Sequence, residues 1–405
     1  MQMDRTGRMV SPVFDEPRSA VSQPSSSIWR RLKASRREVL LSFACLAAAI
    51  LALEWLCRQF IFDPTAAYIL TPGWSIAVHH NNLLPRVHED HVITINNLGG
   101  RGEAPTAFST PRIAVFGSST VQDWVLPERQ TWVQQVGQNL RSCIPHVWTG
   151  NFGKAGVNAR QHLLQLPEVV KYAPRIDMFI VLLGGTDFLF DLHIHHPLVT
   201  PEGWWRKQAL MYDHYDEGHS ALLALVQRLY KSWSRAATEP IPTSDFGDYE
   251  KALRDAHAKV TDRQWVDELP DLSSHLDTYR QTISRLKEFA DTYGAPIVFV
   301  TQPYVWSKTM SESTRRELFA GFIGGDFQSP DVKWYTSDAL MAGFSAYNAT
   351  LLDKCRTDGL SCVDAARLFE GHKDYFFDDF HFSPEGAAAL GAMVAEHVKK
   401  GWPGC

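Results

Sequence analysis

The chain has 405 residues, with Lys+Arg 40 against Asp+Glu 45 and a formal net charge of −5. That balance excludes a general nucleic-acid binder, whose domain would be basic. A hydrophobic fraction of 45% and a charged fraction of 21% exclude wholesale disorder, a collagen-like repeat and a multi-span membrane protein.

The charge is unevenly spread. Met1 to Arg37 carries eight basic and three acidic residues, a net +5, so the rest of the chain sums to −10. Residues 1–37 form a basic tail whose first part, with Pro12, Pro17, Pro24 and the serines Ser25 to Ser27, has no periodic apolar face and reads as disordered. After Arg30, Arg31, Lys33, Arg36 and Arg37 comes the uncharged apolar run Val39 to Leu53, which continues through Glu54 to Trp55, Leu56 and Cys57. At about 1.5 Å per residue this nearly spans a hydrocarbon core of about 30 Å. Glu54 falls at the distal end, where a carboxylate reaches headgroups, and Trp55 suits an interface. Residues 38–60 are therefore expected to be a transmembrane signal anchor, in preference to the buried helix of a soluble domain or a cleavable signal peptide. The basic residues on its N-terminal side place that end in the cytoplasm, which predicts a single-pass protein of the inner membrane with its body in the periplasm.

Residues 61–111 contain the turn-rich passage from Asn96 to Gly102 and are expected to wrap a domain edge. From Arg112 to residue 405 short apolar runs alternate with helix-like segments. The runs are 113–116, 147–152, 178–183, 296–300 and 361–363, each of a kind that is buried on both faces of a parallel sheet. Helices are expected over 131–141, 159–172, 276–293, 338–357 and 384–400; in the third, Leu276, Tyr279, Ile283, Leu286, Phe289 and Ala290 share one stripe. The alternation predicts the α/β class, a three-layer α/β/α sandwich with a mostly parallel sheet and right-handed crossovers.

The segment at about 188–274 is too long for a connection in such a fold and is expected to be an insertion with structure of its own. Its aromatics, Trp204, Trp205, Tyr212, Tyr215, Tyr230, Trp233 and Trp265, suit a helical cap over the carboxyl edge of the sheet, serving as core or as a ligand platform. Asp191, His193, His195 and His196 are metal-ligand types, but their spacing specifies no metal site and a solvated polar loop explains them. Of the six cysteines, Cys45 and Cys57 belong to the apolar run. Cys355 and Cys362 enclose a short turn, and both a disulfide in an oxidising compartment and two free thiols fit the sequence, which does not fix their Cα separation.

Four passages carry chemistry, and all fall where ligands bind in open α/β sheets, beyond the carboxyl ends of strands. Gly117-Ser118-Ser119-Thr120 follows the first strand and exposes a hydroxyl. Asn151 to Gly156 follows the second and offers a backbone N–H. Gly184-Gly185-Thr186-Asp187 follows the third. Asp378 to His381 precedes a helix that Ser383 would cap and Pro384 would begin. A serine nucleophile needs a base, and the base needs an orienting acid; Asp378 and His381, three positions apart, fit one turn.

These four blocks, in this order, resemble the SGNH (GDSL-type) serine hydrolases, a flavodoxin-like family of esterases, lipases, thioesterases and carbohydrate O-deacetylases. Asn97 to Gly102 is similar to the Asn-x-x-Gly-x-Arg-Gly stretch of some membrane-anchored bacterial members. The resemblance implies Ser119 as nucleophile, Asp378 and His381 as its acid and base, and the N–H groups of Ser119 and Gly156 as oxyanion donors. It departs from the family at two places. Ser118 stands for the usual aspartate of the first block, and Thr186 for the asparagine that supplies an oxyanion amide; the Thr186 hydroxyl, on a shorter arm, is expected to assist as a third oxyanion donor. Losing one such donor typically costs about 10²–10³ in turnover. The implied activity is hydrolysis of carboxylic esters through an acyl-enzyme, with O-acetyl groups of envelope carbohydrate as candidate substrates and with no metal or organic cofactor. Two alternatives use the same features: an O-acyltransferase acting on an envelope polysaccharide, and a catalytically inactive, membrane-tethered binding module.

Overall fold

The computed structural model describes residues 26–57, 69–70, 72–80, 83–194, 220–223, 225–226, 243–244, 246–315, 317–323, 327–402 and 404–405, with side chains from residue 36 on except at 193–194, 243–244 and 246. The tail before Ser26, and Trp204, Trp205, Tyr212, Tyr215, Tyr230, Trp233, His195 and His196, lie outside the described residues, as does the side chain of His193. The chain divides into two units, Met1–Gln59 and Phe60–Cys405.

In the first unit one helix runs from Ser26 to Leu56. Its segment Arg36–Leu56 has 21 residues and a mean hydropathy of 2.3, a length of about 31 Å that matches the hydrocarbon core. Leu40, Phe43 and Leu51 are exposed, whereas a core helix of a soluble domain would bury such a stripe.

The strands of the second unit are, in chain order, β1 (Ser75–Val78), β2 (His91–Thr94), β3 (Arg112–Phe116), β4 (Trp148–Asn151), β5 (Met178–Leu183), β6 (Thr243–Ser244), β7 (Trp265–Val266), β8 (Ile297–Thr301), β9 (Phe322–Ile323), β10 (Lys333–Tyr335) and β11 (Ser361–Val363). Five of them form the central sheet in the order β11-β8-β5-β3-β4, and every pairing in it is parallel. All six residues of β5 are buried, the expected result for an apolar run covered on both faces. The five apolar runs of the sequence are these five strands.

Helices cover the sheet. Trp132–Leu140 packs on Pro384–Gly401, and Ala159–Tyr172 on Ser273–Tyr293, which also meets Ser337–Asp358. The helix Ser273–Tyr293 buries Tyr279, Ile283, Leu286 and Ala290 and stops at Gly294, whose φ of +83° supplies the left-handed cap. Two further three-stranded sheets, β2-β1-β6 and β7-β10-β9, were not expected from the sequence, because strands of two to four residues are too short to display a period.

The chain leaves β3 for β4 on one side and returns to β5 on the other, so the strand order reverses between β3 and β5. Such a switch point opens a crevice at the carboxyl edge. The loops after β3, β4 and β5 converge there.

Both pairs of body cysteines are bridged: Cys355 to Cys362, and Cys143 to Cys405 across 262 positions. Cys45 and Cys57 are free.

Candidate active site

Ser119 opens the short helix Ser119–Gln122 directly after β3 and Gly117. A Cβ on Gly117 would sit 2.2 Å from Val121, so only glycine allows this tight strand-to-helix turn. The hydroxyl of Ser119 lies 2.8 Å from His381 Nε2. The other imidazole nitrogen, Nδ1, donates to Asp378 Oδ2 at 2.6 Å. Asp378 is held in turn by two backbone donors, the N–H groups of Phe380 at 2.9 Å and His381 at 2.7 Å, both on Oδ1. Ser383 accepts from Gly386 and caps the helix that Pro384 begins, so the loop bearing the acid and the base is fixed to a helix end. His381 also packs against the rings of Phe377 and Phe380. Its side chain keeps 20% of its surface accessible while that of Asp378 keeps 1%; substrate can reach the base but not the acid.

The electrostatics suit these roles. Burial alone would raise Asp378, but the charge of His381 and its hydrogen bonds outweigh burial and hold the carboxyl below its usual range. Burial pushes His381 down, and Asp378, with smaller contributions from Glu250 and Asp123, overrides it and raises the imidazole to about 8.

The second block is stitched to the nucleophile helix. Asn151 Nδ2 donates to the Val121 carbonyl at 2.8 Å, and Ala155 N–H donates to Gln122 Oε1 at 2.8 Å. A Cβ on Gly153 would lie 2.2 Å from the Gln122 nitrogen, which explains a glycine there. Gly156, at φ +76°, does not present a free amide: its N–H donates to Ser118 Oγ at 3.1 Å. Thr186 sits in the first turn of the helix Gly185–Ile194. With Ser118, Gly184, Gly185 and Gln302 it lines a cavity of about 10 Å³.

The segment expected to wrap an edge does more. Arg101 is buried and donates from Nη1 to the Gln122 carbonyl at 2.7 Å, and also to the carbonyls of Asp123 and Leu126. Its Nε pairs with Glu128 at 2.8 Å. His91 Nε2 adds a bond to the Trp124 carbonyl at 3.0 Å. The stretch after the nucleophile is thus held from outside by β2 and the turn behind it. Asn96 Oδ1 accepts from Leu98 and Gly100 and shapes that turn, so the motif asparagine is Asn96, one position before the Asn97 from which the passage was counted. The run Asn-x-x-Gly-x-Arg-Gly was a legible signal for Arg101, although its contact with the nucleophile helix was not foreseen.

Three buried carboxyls near the triad also went unforeseen. Glu250, in the helix Phe246–His257, is buried with Oε2 lacking a hydrogen bond; burial, then Asp378, raise it well above the usual range. Asp379 holds the N–H groups of Phe319 and Ala320 at 2.9 and 3.1 Å, and burial, then Asp378, raise it to about 7. Burial raises Asp123 to about 8. Neither burial nor neighbours could be read at these positions from sequence periodicity.

Asp191, one of the metal-ligand types, accepts from the Tyr347 hydroxyl and pairs with His275 at 2.9 Å. Among the described residues no group of histidine, cysteine and acidic side chains has a metal-binding arrangement. A larger cavity, of about 530 Å³, is lined by His257, Asp262, Trp265, Glu312, Arg315 and Thr336 with their neighbours. His257 lies two helical turns beyond Glu250, about 10 Å along the same helix and on nearly the same face.

A family model described as the GDSL-like lipase/acylhydrolase family matches residues 115–389. Among solved structures the chain is similar to a member of the lipolytic protein G-D-S-L family from Veillonella parvula, at 12% identity and a TM-score of 0.38 over 72% of this chain and 99% of that one. It is similar to an acetyl xylan esterase from Geobacillus stearothermophilus, at 13% identity and a TM-score of 0.39 over 72% and 95%. A third, an alpha/beta hydrolase from the metagenome of Lake Arreo, has 11% identity and a TM-score of 0.38 over 74% and 97%. No curated protein matches.

Proposed function

The chain belongs to the GDSL-like lipase/acylhydrolase family and is an enzyme acting on ester bonds; on that premise we propose that it cleaves carboxylic esters through an acyl-enzyme on Ser119, with O-acyl groups of envelope carbohydrate as its natural esters. The observation that carries this reading is the continuous relay from Ser119 through His381 to Asp378, at 2.8 and 2.6 Å.

His381 removes the Ser119 proton as the oxygen attacks the ester carbonyl. The oxyanion forms at the N–H of Ser119, with Gly156 and Thr186 on the loops around it. Collapse expels the alcohol, which takes its proton from His381. Water then gives its proton to His381 and attacks the acyl carbon; as the bond to Ser119 breaks, His381 returns a proton to the Ser119 oxygen and the carboxylic acid leaves. Asp378 stays ionised throughout and fixes the tautomer. Ser119→Ala should abolish hydrolysis of a small chromogenic acyl ester, and labelling by a fluorophosphonate, with the fold intact. Turnover that survives the substitution overturns the assignment.

The carbohydrate part of the reading is supported by the 530 Å³ cavity, where an indole, two carboxylates, a guanidinium and a hydroxyl face one space. Rings and planar polar side chains of this kind suit a sugar unit. Trp265→Ala should raise KM for an O-acetylated oligosaccharide and leave KM for a small aryl acetate unchanged. A preference for long-chain acyl esters over acetylated glycans would reject this substrate class.

The placement belongs to the same proposal: an inner-membrane anchor at residues 38–60, the N-terminus in the cytoplasm and the catalytic unit in the periplasm. Five basic residues before the apolar run support it, as do two disulfides, which persist in oxidising compartments.

A further inference from the structure

We propose that the hydroxyl of Ser118 is itself an oxyanion donor, polarised by the Gly156 amide behind it. The proposal rests on Ser119 being the nucleophile. Ser118 immediately precedes Ser119 and occupies the N-cap position of its short helix, yet its side chain caps no helix N–H. It accepts the N–H of Gly156 at 3.1 Å instead. A hydroxyl has two acceptor lone pairs and one proton, so this bond leaves the proton to be given onward. No acceptor for it is present among the described residues, although the side chain is buried. A hydroxyl that accepts one hydrogen bond donates a stronger one.

Ser118 and Thr186 line the same cavity of about 10 Å³, about the room one water-sized group occupies. These are also the two positions where the chain departs from the pattern it otherwise resembles. A carboxylate at 118 would accept from Gly156 but could donate nothing, and its charge would oppose an oxyanion. A serine accepts and donates. The loss of a long amide arm at 186 is thereby matched by the gain of a proton at 118.

The test measures kcat and KM on p-nitrophenyl acetate, together with inhibition by a trifluoromethyl ketone, whose adduct with Ser119 reproduces the oxyanion. Ser118→Ala should lower kcat by about 10²–10³-fold, as for other lost donors, with KM unchanged and ketone affinity falling in parallel. Adding Thr186→Asn should restore at least about tenfold to the alanine variant, within that same range. Ser118→Cys, close in size but a weak donor, should fall as Ser118→Ala does and serves if the alanine variant fails to fold.

The proposal is overturned if Ser118→Ala keeps or raises kcat, since the freed Gly156 amide would then serve the oxyanion alone. It is also overturned if KM rises while kcat and ketone affinity hold. Hydrolysis that survives Ser119→Ala would remove the nucleophile assignment, and this proposal with it. Loss of hydrolysis in Ser119→Ala beside full activity in Ser118→Ala would remove this proposal alone.

Discussion

Arg101 and Gln122 meet at 2.7 Å, the guanidinium of one donating to the carbonyl of the other, and Gln122 is the last residue of the helix that Ser119 begins. Lysine keeps the charge at 101 but not the fork that reaches three carbonyls. Arg101→Lys should therefore let the nucleophile drift and lower kcat by about 10²-fold, the size associated with a displacement near 1 Å. Arg101→Ala, which leaves Glu128 and buried carbonyls unpaired, should cost about 3–5 kcal/mol in urea unfolding. Unchanged kcat in Arg101→Lys would show that β2 and its turn do not position Ser119.

The base sets the pH dependence. His381 must be neutral to accept the Ser119 proton, and its folded pKa is raised to about 8. The ester-hydrolysis rate, kcat/KM, should rise through pH 8 and level above it. Stability runs the other way. A histidine whose folded pKa exceeds its unfolded value near 6.5 stabilises the fold fully below pH 6.5, and that contribution is lost as pH rises through 8. Asp378→Asn removes the partner that raises the imidazole. It should move the kinetic midpoint down and cut turnover by about 10⁴-fold. A midpoint that stays in place would separate Asp378 from the titration.

Glu250 sets a pH dependence of its own, in stability. Burial, then Asp378, hold its carboxyl protonated. A group raised in this way destabilises the fold once pH passes its unfolded value near 4.5 and the unfolded chain alone ionises. Glu250→Gln should therefore be more stable than the wild type at pH 7 and equal to it at pH 4. Equal stability at both values would place Glu250 in water.

The bridge between Cys143 and Cys405 closes a loop across 262 positions. Cys405→Ser should lower the free energy of unfolding by about 2–5 kcal/mol, the usual effect of removing a native disulfide. Wild-type protein in strong reductant should approach the variant. Identical unfolding curves without reductant would mean that the bridge contributes nothing.

Topology is checked with a phosphatase reporter that folds only outside the cytoplasm, joined after Cys405. It should be active in cells, and replacing Arg30, Arg31, Lys33, Arg36 and Arg37 with glutamine should reduce that activity by weakening the orientation signal. An inactive reporter on the unaltered chain would put the body in the cytoplasm.

Much of the fold could be read before the structure because β3, β4, β5 and β8 are largely buried on both faces, and burial of that kind writes itself as an apolar run. Ser119, Asp378 and His381 were legible for a different reason: each follows or precedes an element whose end can be located. What escaped depends on pairs distant in sequence. Cys143 meets Cys405 across 262 positions, and Arg101 reaches Gln122 from another element. Glu250 is buried by the packing of the helix Phe246–His257, which has no periodic relation to the triad. The amide of Gly156 was expected to be free, and only the side-chain geometry of Ser118 reveals that it is engaged.

Arg101 also fixes how much chain an active fragment needs. The family match begins at residue 115 and ends at residue 389. A fragment cut there would keep most of the central sheet and all three triad residues. It would lose Arg101 and His91, which hold the turn after Ser119, and Cys405, which is bridged to Cys143. Such a fragment would have its catalytic side chains and lack the frame that aims them, so expression boundaries for activity work belong near Asp63 and Cys405 and not at the edges of the shared family region.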